Sequence, residues 1–262
     1  MSNIEFDFPI VEKTYKVVGK RDLKLYIFEP TSQETKRPAI LFFNGGSFKK
    51  EPKSPVQFQH QAEYFSSLGM VAICVDYRNG ADMGFLPTQA ISDVKSAVRY
   101  VRRNSEGLRV DPNKVVVCGS SAGGYITVSA ITFNDLNDDN QYENHNKDHV
   151  PSYLIIFAAG MDGIDIMARR YPQLLYKAKE ISPIHNIKKC LPTTLWLCGT
   201  GDDLYVQNKK FINLMKHEGN EITLKTYKGM EHGFFNYGRH HNEYFNQTKD
   251  EMETFLRDMH VV

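Results

Sequence analysis

The feature that most constrains the fold is a β-branched run that ends in serines and glycines, residues 115–124. The apolar residues predict a buried strand, and a segment able to form a helix follows from Tyr125. Between them, the spacing Gly-x-Ser-x-Gly places Ser121 in a tight turn from strand to helix, where flanking glycines let the backbone reverse. Ser120 has a cysteine and an alanine at the equivalent positions. The pattern favours an exposed Ser121 hydroxyl, although a serine that only caps a helix would use similar residues.

Bulk composition excludes several classes of partner. The 262 residues are 41% hydrophobic and 24% charged, as in globular proteins with a full core, and the formal net charge of +1 gives no general attraction to nucleic acid or anionic membranes. No apolar run approaches the roughly 18 residues that span a bilayer. Residues 1–16 lack the apolar core of a signal peptide, which predicts a cytoplasmic chain. Of four cysteines, three lie in apolar runs and none has metal-ligand spacing, so we expect buried thiols and no metal site.

Strand and helix patterns alternate along the chain. Two edge strands are predicted within 17–28, followed by strands at 39–43, 70–75, 115–118, 153–159, 194–198 and 222–227. Predicted helices lie at 57–67, 87–104, 125–131, 206–218 and 243–259. This alternation predicts an α/β fold in which a mostly parallel sheet of about eight strands has helices on both faces, as one domain, 1–262. The loops after the carboxyl ends of the strands should then meet at one edge of the sheet.

Two longer connections lie at opposite edges of this predicted sheet. Residues 134–150 are polar and acidic and are expected to form a solvated loop at the edge away from Ser121. Residues 160–183 leave from the same edge as Ser121. They are the candidate for a small cap or a pocket wall.

A serine hydroxyl is a poor nucleophile unless a base takes its proton and a third group orients that base. Among nine histidines, His232 lies in the loop after the last predicted strand and precedes a glycine. Surface or capping roles suit His60, His217, His240 and His241 better, and the adjacent pair His240 and His241 has no second cluster that would support a metal site.

The orienting carboxylate should follow an intervening strand. Asp202 and Asp203 come directly after the strand at 194–198, and acids in such turns often bond only their own backbone. We favour Asp202, with Asp203 as the alternative and Asp162 as a further candidate. Backbone N–H donors for a developing oxyanion should come from Ala122 and from the glycine-rich loop 44–48.

Six motifs occur in an order that resembles a known family. They are Phe43-Asn44-Gly45-Gly46-Ser47-Phe48, Asp76-Tyr77-Arg78, Gly119-Ser120-Ser121-Ala122-Gly123-Gly124, Ser182-Pro183-Ile184, Gly199-Thr200-Gly201-Asp202 and His232-Gly233-Phe234-Phe235. From about Phe28 onward the chain resembles the α/β-hydrolase fold, specifically the hormone-sensitive-lipase-like esterases and their compact carbohydrate-esterase relatives. The resemblance implies a nucleophile, base and acid at Ser121, His232 and Asp202. It also implies oxyanion donors at Gly46, Ser47 and Ala122, and no cofactor.

The chain departs from this family in two places. Asn44 and Ser47 stand where the family usually has a histidine and a third glycine, which changes the loop but not its backbone donors. The long N-terminal cap of many members is missing, which implies an open site suited to a short acyl group on a bulky alcohol. We therefore expect a serine carboxylesterase that acts on small-molecule or oligosaccharide esters. Acetyl or feruloyl esters of carbohydrate are the first candidate substrates. The alternatives are a formamidase or small-acyl peptidase, and a ligand-binding protein without catalysis.

Overall fold

The central element is one eight-stranded sheet. The computed structural model describes residues 4–31, 34–46, 48–51, 54–138 and 148–262. Its strands are β1 (Val11–Val18), β2 (Arg21–Phe28), β3 (Arg37–Phe43), β4 (Val71–Val75), β5 (Val110–Ser120), β6 (Tyr153–Phe157), β7 (Thr194–Gly199) and β8 (Ile222–Tyr227). Their order is β1-β2-β4-β3-β5-β6-β7-β8, with β2 antiparallel to both neighbours and every other pair parallel. The predicted number of strands and their mostly parallel arrangement are confirmed.

Helices cover both faces of the sheet, as predicted. They are α1 (Gln59–Ser67), α2 (Pro87–Arg103), α3 (Ala122–Thr132), α4 (Gly163–Arg170), α5 (Tyr205–His217) and α6 (Glu243–Asp258). The apolar residues of α2, α3 and α5 share one core with Leu41, whereas those of α1 and α6 share the other with Phe42. Successive side chains of a strand point to opposite faces, so the continuous apolar run of β3 fills both cores. None of the described helices has the length and apolar character needed to cross a membrane.

Two strands are longer than the sequence patterns predict. β1 begins at Val11, and its first four residues are exposed because the strand lies at the edge and has a single neighbour. β5 begins at Val110, before an Asp-Pro-Asn segment that is typical of a turn. Its pairing with β3 still starts there, from Arg37 to Val110, and a register shift accommodates the turn before regular pairing resumes at Val115.

The acidic segment after α3 is anchored at its start and is not a free, solvated loop there. Asp138 contacts Lys16 at 2.7 Å and Arg78 at 2.6 Å. Burial opposes ionisation of Asp138, but hydrogen bonds from these two cations and from Ser92 outweigh it and lower its pKa to about 2. The two cations are almost buried, with 9% and 7% of their side chains exposed, and require a charged partner. They share two such partners, the fully buried Asp93 and Asp138. Asp138 lies 60 residues or more from both cations in the chain, so no local pattern shows its contacts.

The end of the same segment is anchored as well. Asp148 lies 2.7 Å from Nε of Arg99 on α2. The intervening residues 139–147, with Asp139 and Glu143, lie outside the described residues, so the expectation of a solvated loop applies only to them. The cysteines agree with expectation: Cys74, Cys118 and Cys198 are buried free thiols.

Candidate active site

Ser121 lies in a strained turn between β5 and α3. Its φ of 51° and ψ of −117° fall outside the regions that a residue with a side chain normally occupies. Such strain costs roughly 1–3 kcal/mol and persists only when the surroundings enforce it. Here the N–H of Ser121 donates to the carbonyl of Phe157 at 2.9 Å, and its own carbonyl accepts from the N–H of Tyr125 at 3.0 Å. The turn is therefore held from β6 and from the first turn of α3.

Glycines flank the turn because no Cβ would fit. A Cβ on Gly119 would lie 2.7 Å from the carbonyl oxygen of Gly123, and one on Gly123 would lie 2.1 Å from the carbonyl oxygen of Phe43. Gly124 is as restricted, since its Cβ would lie 2.5 Å from Cβ of Ala159. The glycine spacing that singled out Ser121 thus reflects two close backbone approaches, at Gly119 and Gly123, and Gly124 adds a close approach to a side chain.

His232 lies between Ser121 and Asp202. Its Nε2 is 3.0 Å from Oγ of Ser121, and its Nδ1 is 2.8 Å from Oδ2 of Asp202. An ionised carboxylate only accepts hydrogen bonds, so Nδ1 carries the proton and Nε2 is free to accept one from the serine hydroxyl. The structure thus brings together, in one hydrogen-bonded line, the three residues that the sequence singled out.

The loops after β7 and β8 hold the acid and the base. The N–H of Gly201 donates to the carbonyl of Met230 at 3.0 Å, and a Cβ on Gly199 would lie 2.0 Å from that same oxygen. Asp202 is fixed from its other side, because Oδ1 accepts from the N–H of Leu204 at 2.8 Å. The side chain of Asp202 is 1% exposed and that of His232 is 45% exposed. The acid is shielded from water, whereas the base can reach a substrate.

The alternative candidates have other contacts. Ser120 is buried, and Asp203 is exposed with no hydrogen bond or ion pair to His232 within the described ranges. Asp162 caps α4, accepting from the N–H of Ile164 at 2.9 Å. His240 lies 3.0 Å from Glu231. No group of three metal-ligating side chains occurs in the part of the chain that the structure describes.

The glycine-rich loop lies against the serine, as expected of oxyanion donors. Tyr77 fixes it by donating to the carbonyl of Asn44 at 2.6 Å. The N–H of Gly45 is engaged by Oε1 of Gln57 at 2.7 Å, whereas the N–H groups of Gly46 and Ala122 have no acceptor among the described residues. Two of the three expected donors therefore have no protein acceptor among the described residues, and their role toward an oxyanion stays a prediction. The third, Ser47, lies outside the described residues.

A cavity of about 500 Å³ opens beside Ser121 and His232. Four of its lining residues were not predicted from the sequence: Ser54, Gln57, Asn236 and Arg239. No short motif marks an isolated glutamine at the start of a helix or an asparagine four residues after a histidine. A larger groove of about 1380 Å³, lined by both acidic and basic side chains, adjoins the cavity and shares Gln57 and Asn236 with it.

Segment 160–183 supports the glycine-rich loop and does not line the cavity. It forms α4 and two short 3-10 turns, Pro172–Lys177 and Pro183–His185. Tyr171 lies between α4 and the first of these turns. Its hydroxyl donates to the carbonyl of Phe48 at 3.0 Å, and its ring packs edge-on against Phe85. None of the cavity-lining residues comes from this segment in the described structure.

One further titratable group lies next to the acid. Burial, reinforced by the nearby Asp202, raises the pKa of the Cys198 thiol to about 12. The thiol therefore stays neutral at physiological pH and adds no second anion beside Asp202.

Comparison with a family model and with solved structures identifies relatives of this chain. Residues 25–216 match the BD-FAE family model. Apo esterase 2 of Thermogutta terrifontis is 34% identical with a TM-score of 0.88, over 97% of this chain and 96% of that one. The same esterase phosphonylated by sarin is 32% identical with a TM-score of 0.89, over the same shares of both chains. This similarity confirms the expected α/β-hydrolase fold.

Two curated relatives match over shorter stretches. Carboxylesterase NlhH of Mycobacterium tuberculosis is 26% identical over 121 residues, which are 45% of this chain and 36% of that protein. Endo-1,4-beta-xylanase B of Butyrivibrio fibrisolvens is 30% identical over 115 residues, or 42% of this chain and 17% of that protein. The chain thus spans about a third or less of the length of these curated relatives.

Proposed function

The chain belongs to the BD-FAE family, and we propose that it is a serine carboxylesterase whose catalytic triad is Ser121, His232 and Asp202. The observation that carries this proposal is the line of hydrogen bonds from Oγ of Ser121 through the imidazole to the buried carboxylate, at 3.0 and 2.8 Å. We treat residues 1–262 as one catalytic domain, because all eight strands join a single sheet.

In the proposed reaction, Oγ of Ser121 attacks the ester carbonyl and its proton passes to Nε2 of His232. The carbonyl oxygen becomes an oxyanion, which accepts hydrogen bonds from the N–H groups of Gly46 and Ala122, and of Ser47 in the same loop. Asp202 stabilises the imidazolium. The C–O bond to the alcohol then breaks, and the alcohol leaves with the proton from His232. Water, deprotonated by the same imidazole, releases the acid and regenerates Ser121, so the reaction needs no metal or cofactor.

The relatives support an ester as the substrate. Esterase 2 of T. terrifontis has been captured phosphonylated by sarin and with butyrate bound, and NlhH is a carboxylesterase. Organophosphorus reagents are electrophiles that resemble an ester under attack, so these states are those of an activated nucleophile. The chain shares its fold with that esterase over nearly the whole length of both proteins.

For the substrate class we propose short acyl groups, acetyl or feruloyl, carried on carbohydrate. The catalytic cavity of about 500 Å³ suits a small acyl group. The adjoining groove of about 1380 Å³ has acidic and basic side chains that can bind the hydroxyl groups of a carbohydrate. The match to part of a xylanase supports an association with plant polysaccharide.

The test is hydrolysis of para-nitrophenyl esters of increasing acyl length, followed by acetylated and feruloylated xylo-oligosaccharides, with wild type beside Ser121→Ala. We expect acetate to be cleaved fastest, release of acetate or ferulate from the oligosaccharide, and loss of several orders of magnitude in kcat for the variant. Cleavage of para-nitrophenyl esters without release from any oligosaccharide would limit the proposal to small-molecule esters.

Amide cleavage and ligand binding without catalysis are the alternatives, and matched amides separate them. Faster cleavage of acetyl-amino-acid anilides or formyl amides than of esters would favour the amidase. A wild-type protein that cleaves neither esters nor amides would favour a binding protein.

A further inference from the structure

One side-chain amide, that of Gln57, connects three segments of the candidate active site: the glycine-rich loop, the turn that carries Ser121 and the loop after β8. Its Oε1 accepts from the N–H of Gly45 at 2.7 Å and from Oγ of Ser120 at 3.2 Å. Its Nε2 donates to Oδ1 of Asn236 at 2.9 Å. Asn236 in turn donates from Nδ2 to the carbonyl of Gly233 at 2.9 Å.

The direction of these bonds is fixed at both ends by the backbone. The N–H of Gly45 can only donate, so Oε1 of Gln57 must face it and Nε2 must face Asn236. The carbonyl of Gly233 can only accept, so Nδ2 of Asn236 must face it and Oδ1 must face Gln57. Neither amide can flip without placing like groups against each other, which makes the arrangement specific.

The backbone that carries Gln57 is itself fixed. Gln57 lies in a short 3-10 turn, Pro55–Phe58, whose N-terminus is capped by Oγ of Ser54 accepting from the N–H of Val56. The next residue, Phe58, is fully buried and stacks on Phe42 and on Phe235 at centroid distances of 5.1 and 5.9 Å. The amide therefore projects into the site from a packed base.

Each branch of these hydrogen bonds ends at a residue next to a proposed catalytic group. Gly45 precedes Gly46, a proposed oxyanion donor, and Ser120 precedes the nucleophile Ser121. Gly233, reached through Asn236, follows the base His232. We propose that Gln57 is a positioning residue, which sets the oxyanion donor, the nucleophile and the base relative to one another. This inference rests on the esterase function proposed above.

The experiment compares Gln57→Leu with Asn220→Leu as the matched control. Asn220 is buried and is not among the residues that line the cavity or the groove. Its amide accepts from the N–H groups of Cys190 and Leu191 at 3.0 Å and donates to the carbonyls of Lys188 at 3.0 Å and Met215 at 2.9 Å. Gln57→Leu removes three amide hydrogen bonds and Asn220→Leu removes four, but only the first change removes a link to the site. The readouts are kcat and KM for para-nitrophenyl acetate, the inhibition constant of an alkyl boronic acid that forms a tetrahedral adduct with serine, and Tm.

We expect Gln57→Leu to lower kcat by about ten- to a hundredfold with KM within about twofold, since a misplacement of about 1 Å costs up to about 10²-fold. Boronic acid inhibition should weaken in parallel, because the adduct uses the oxyanion donors and the ground state does not. Asn220→Leu, which loses four hydrogen bonds, should lower Tm at least as much and leave kcat unchanged.

Asn236→Leu provides a second test, because it breaks only the branch toward His232. Its kcat should fall less than that of Gln57→Leu, and the double variant should lose less than the product of the two single losses, since both act through one chain of bonds.

The positioning role is contradicted if Gln57→Leu keeps kcat within twofold of wild type. It is also contradicted if only KM rises, which would make Gln57 a substrate contact, or if Asn220→Leu loses as much kcat. Wild-type protein that cleaves no ester and does not bind the boronic acid overturns the esterase function together with this inference. Active wild type with a fully active Gln57→Leu overturns the inference alone.

Discussion

Asp202→Asn tests whether the carboxylate sets the tautomer of His232. In the wild type Oδ1 of Asp202 accepts from the N–H of Leu204 at 2.8 Å, and Oδ2 accepts from Nδ1 of His232 at 2.8 Å. An asparagine keeps its oxygen toward Leu204, because a backbone N–H can only donate, and so directs its NH₂ group at the imidazole. Nδ1 then becomes the acceptor, the proton moves to Nε2, and His232 can no longer accept the proton of Ser121.

We expect a large loss of kcat, because the substitution keeps the three side chains in place but reverses the hydrogen bond between residue 202 and Nδ1 of His232. A triad with the wrong histidine tautomer loses about 10⁴-fold in kcat, which corresponds to about 5 kcal/mol of transition-state stabilisation. The assay is steady-state hydrolysis of para-nitrophenyl acetate, with Tm to show that the fold is intact. Asp203→Asn is the control, since that exposed carboxylate is the neighbour that the sequence left as an alternative. Retention of more than a tenth of wild-type kcat by Asp202→Asn, or an equal loss in the control, would refute the tautomer argument.

Three further predictions concern the turn, the buried aspartate and the support behind the loop. Gly123→Ala places Cβ 2.1 Å from the carbonyl oxygen of Phe43, so we expect loss of activity and of several kcal/mol of stability in urea unfolding, whereas Gly107→Ala, whose Cβ meets its nearest atom at 3.8 Å, should change neither. Burial raises the pKa of Asp76 to about 6 despite its contact with Arg21. Between the ordinary pKa of 3.8 and about 6, the folded protein therefore keeps a proton on Asp76 that the unfolded chain has lost. Relative to Asp76→Asn, the free energy of unfolding of the wild type should fall as the pH rises from about 4 to about 6, by at most about 3 kcal/mol, and parallel pH profiles would contradict this. Tyr171→Phe removes the buried hydrogen bond to Phe48 and should cost about 1 kcal/mol in urea unfolding, whereas Tyr176→Phe, on an 81% exposed ring, should cost nothing measurable.

The elements around the candidate site could be predicted because backbone geometry restricts their sequence. A Cβ does not fit at Gly119 or Gly123, so the turn that carries Ser121 leaves a glycine pattern in the chain. The loops that carry Asp202 and His232 follow β7 and β8, two strands that the sequence pattern predicted, and parallel strands bring such loops to one edge. Chain order and sheet topology were therefore enough to group these three residues.

Side-chain contacts between distant segments could not be predicted in this way. Gln57 and Asn236 are separated by 179 residues, and both residue types are common on solvent-exposed surfaces. The same holds for Asp138, whose partners Lys16 and Arg78 come from β1 and from the loop after β4. These contacts depend on packing, which periodicity and spacing do not encode.

The most direct test of the account is to label the nucleophile. The protein is incubated with paraoxon, and the modified peptide is identified by mass spectrometry beside Ser121→Ala and Ser120→Ala. We expect loss of esterase activity in proportion to one diethyl phosphoryl group per chain, carried on Ser121, with no labelling of Ser121→Ala and normal labelling of Ser120→Ala. A phosphoryl group on another residue, or esterase activity that survives in Ser121→Ala, would contradict it.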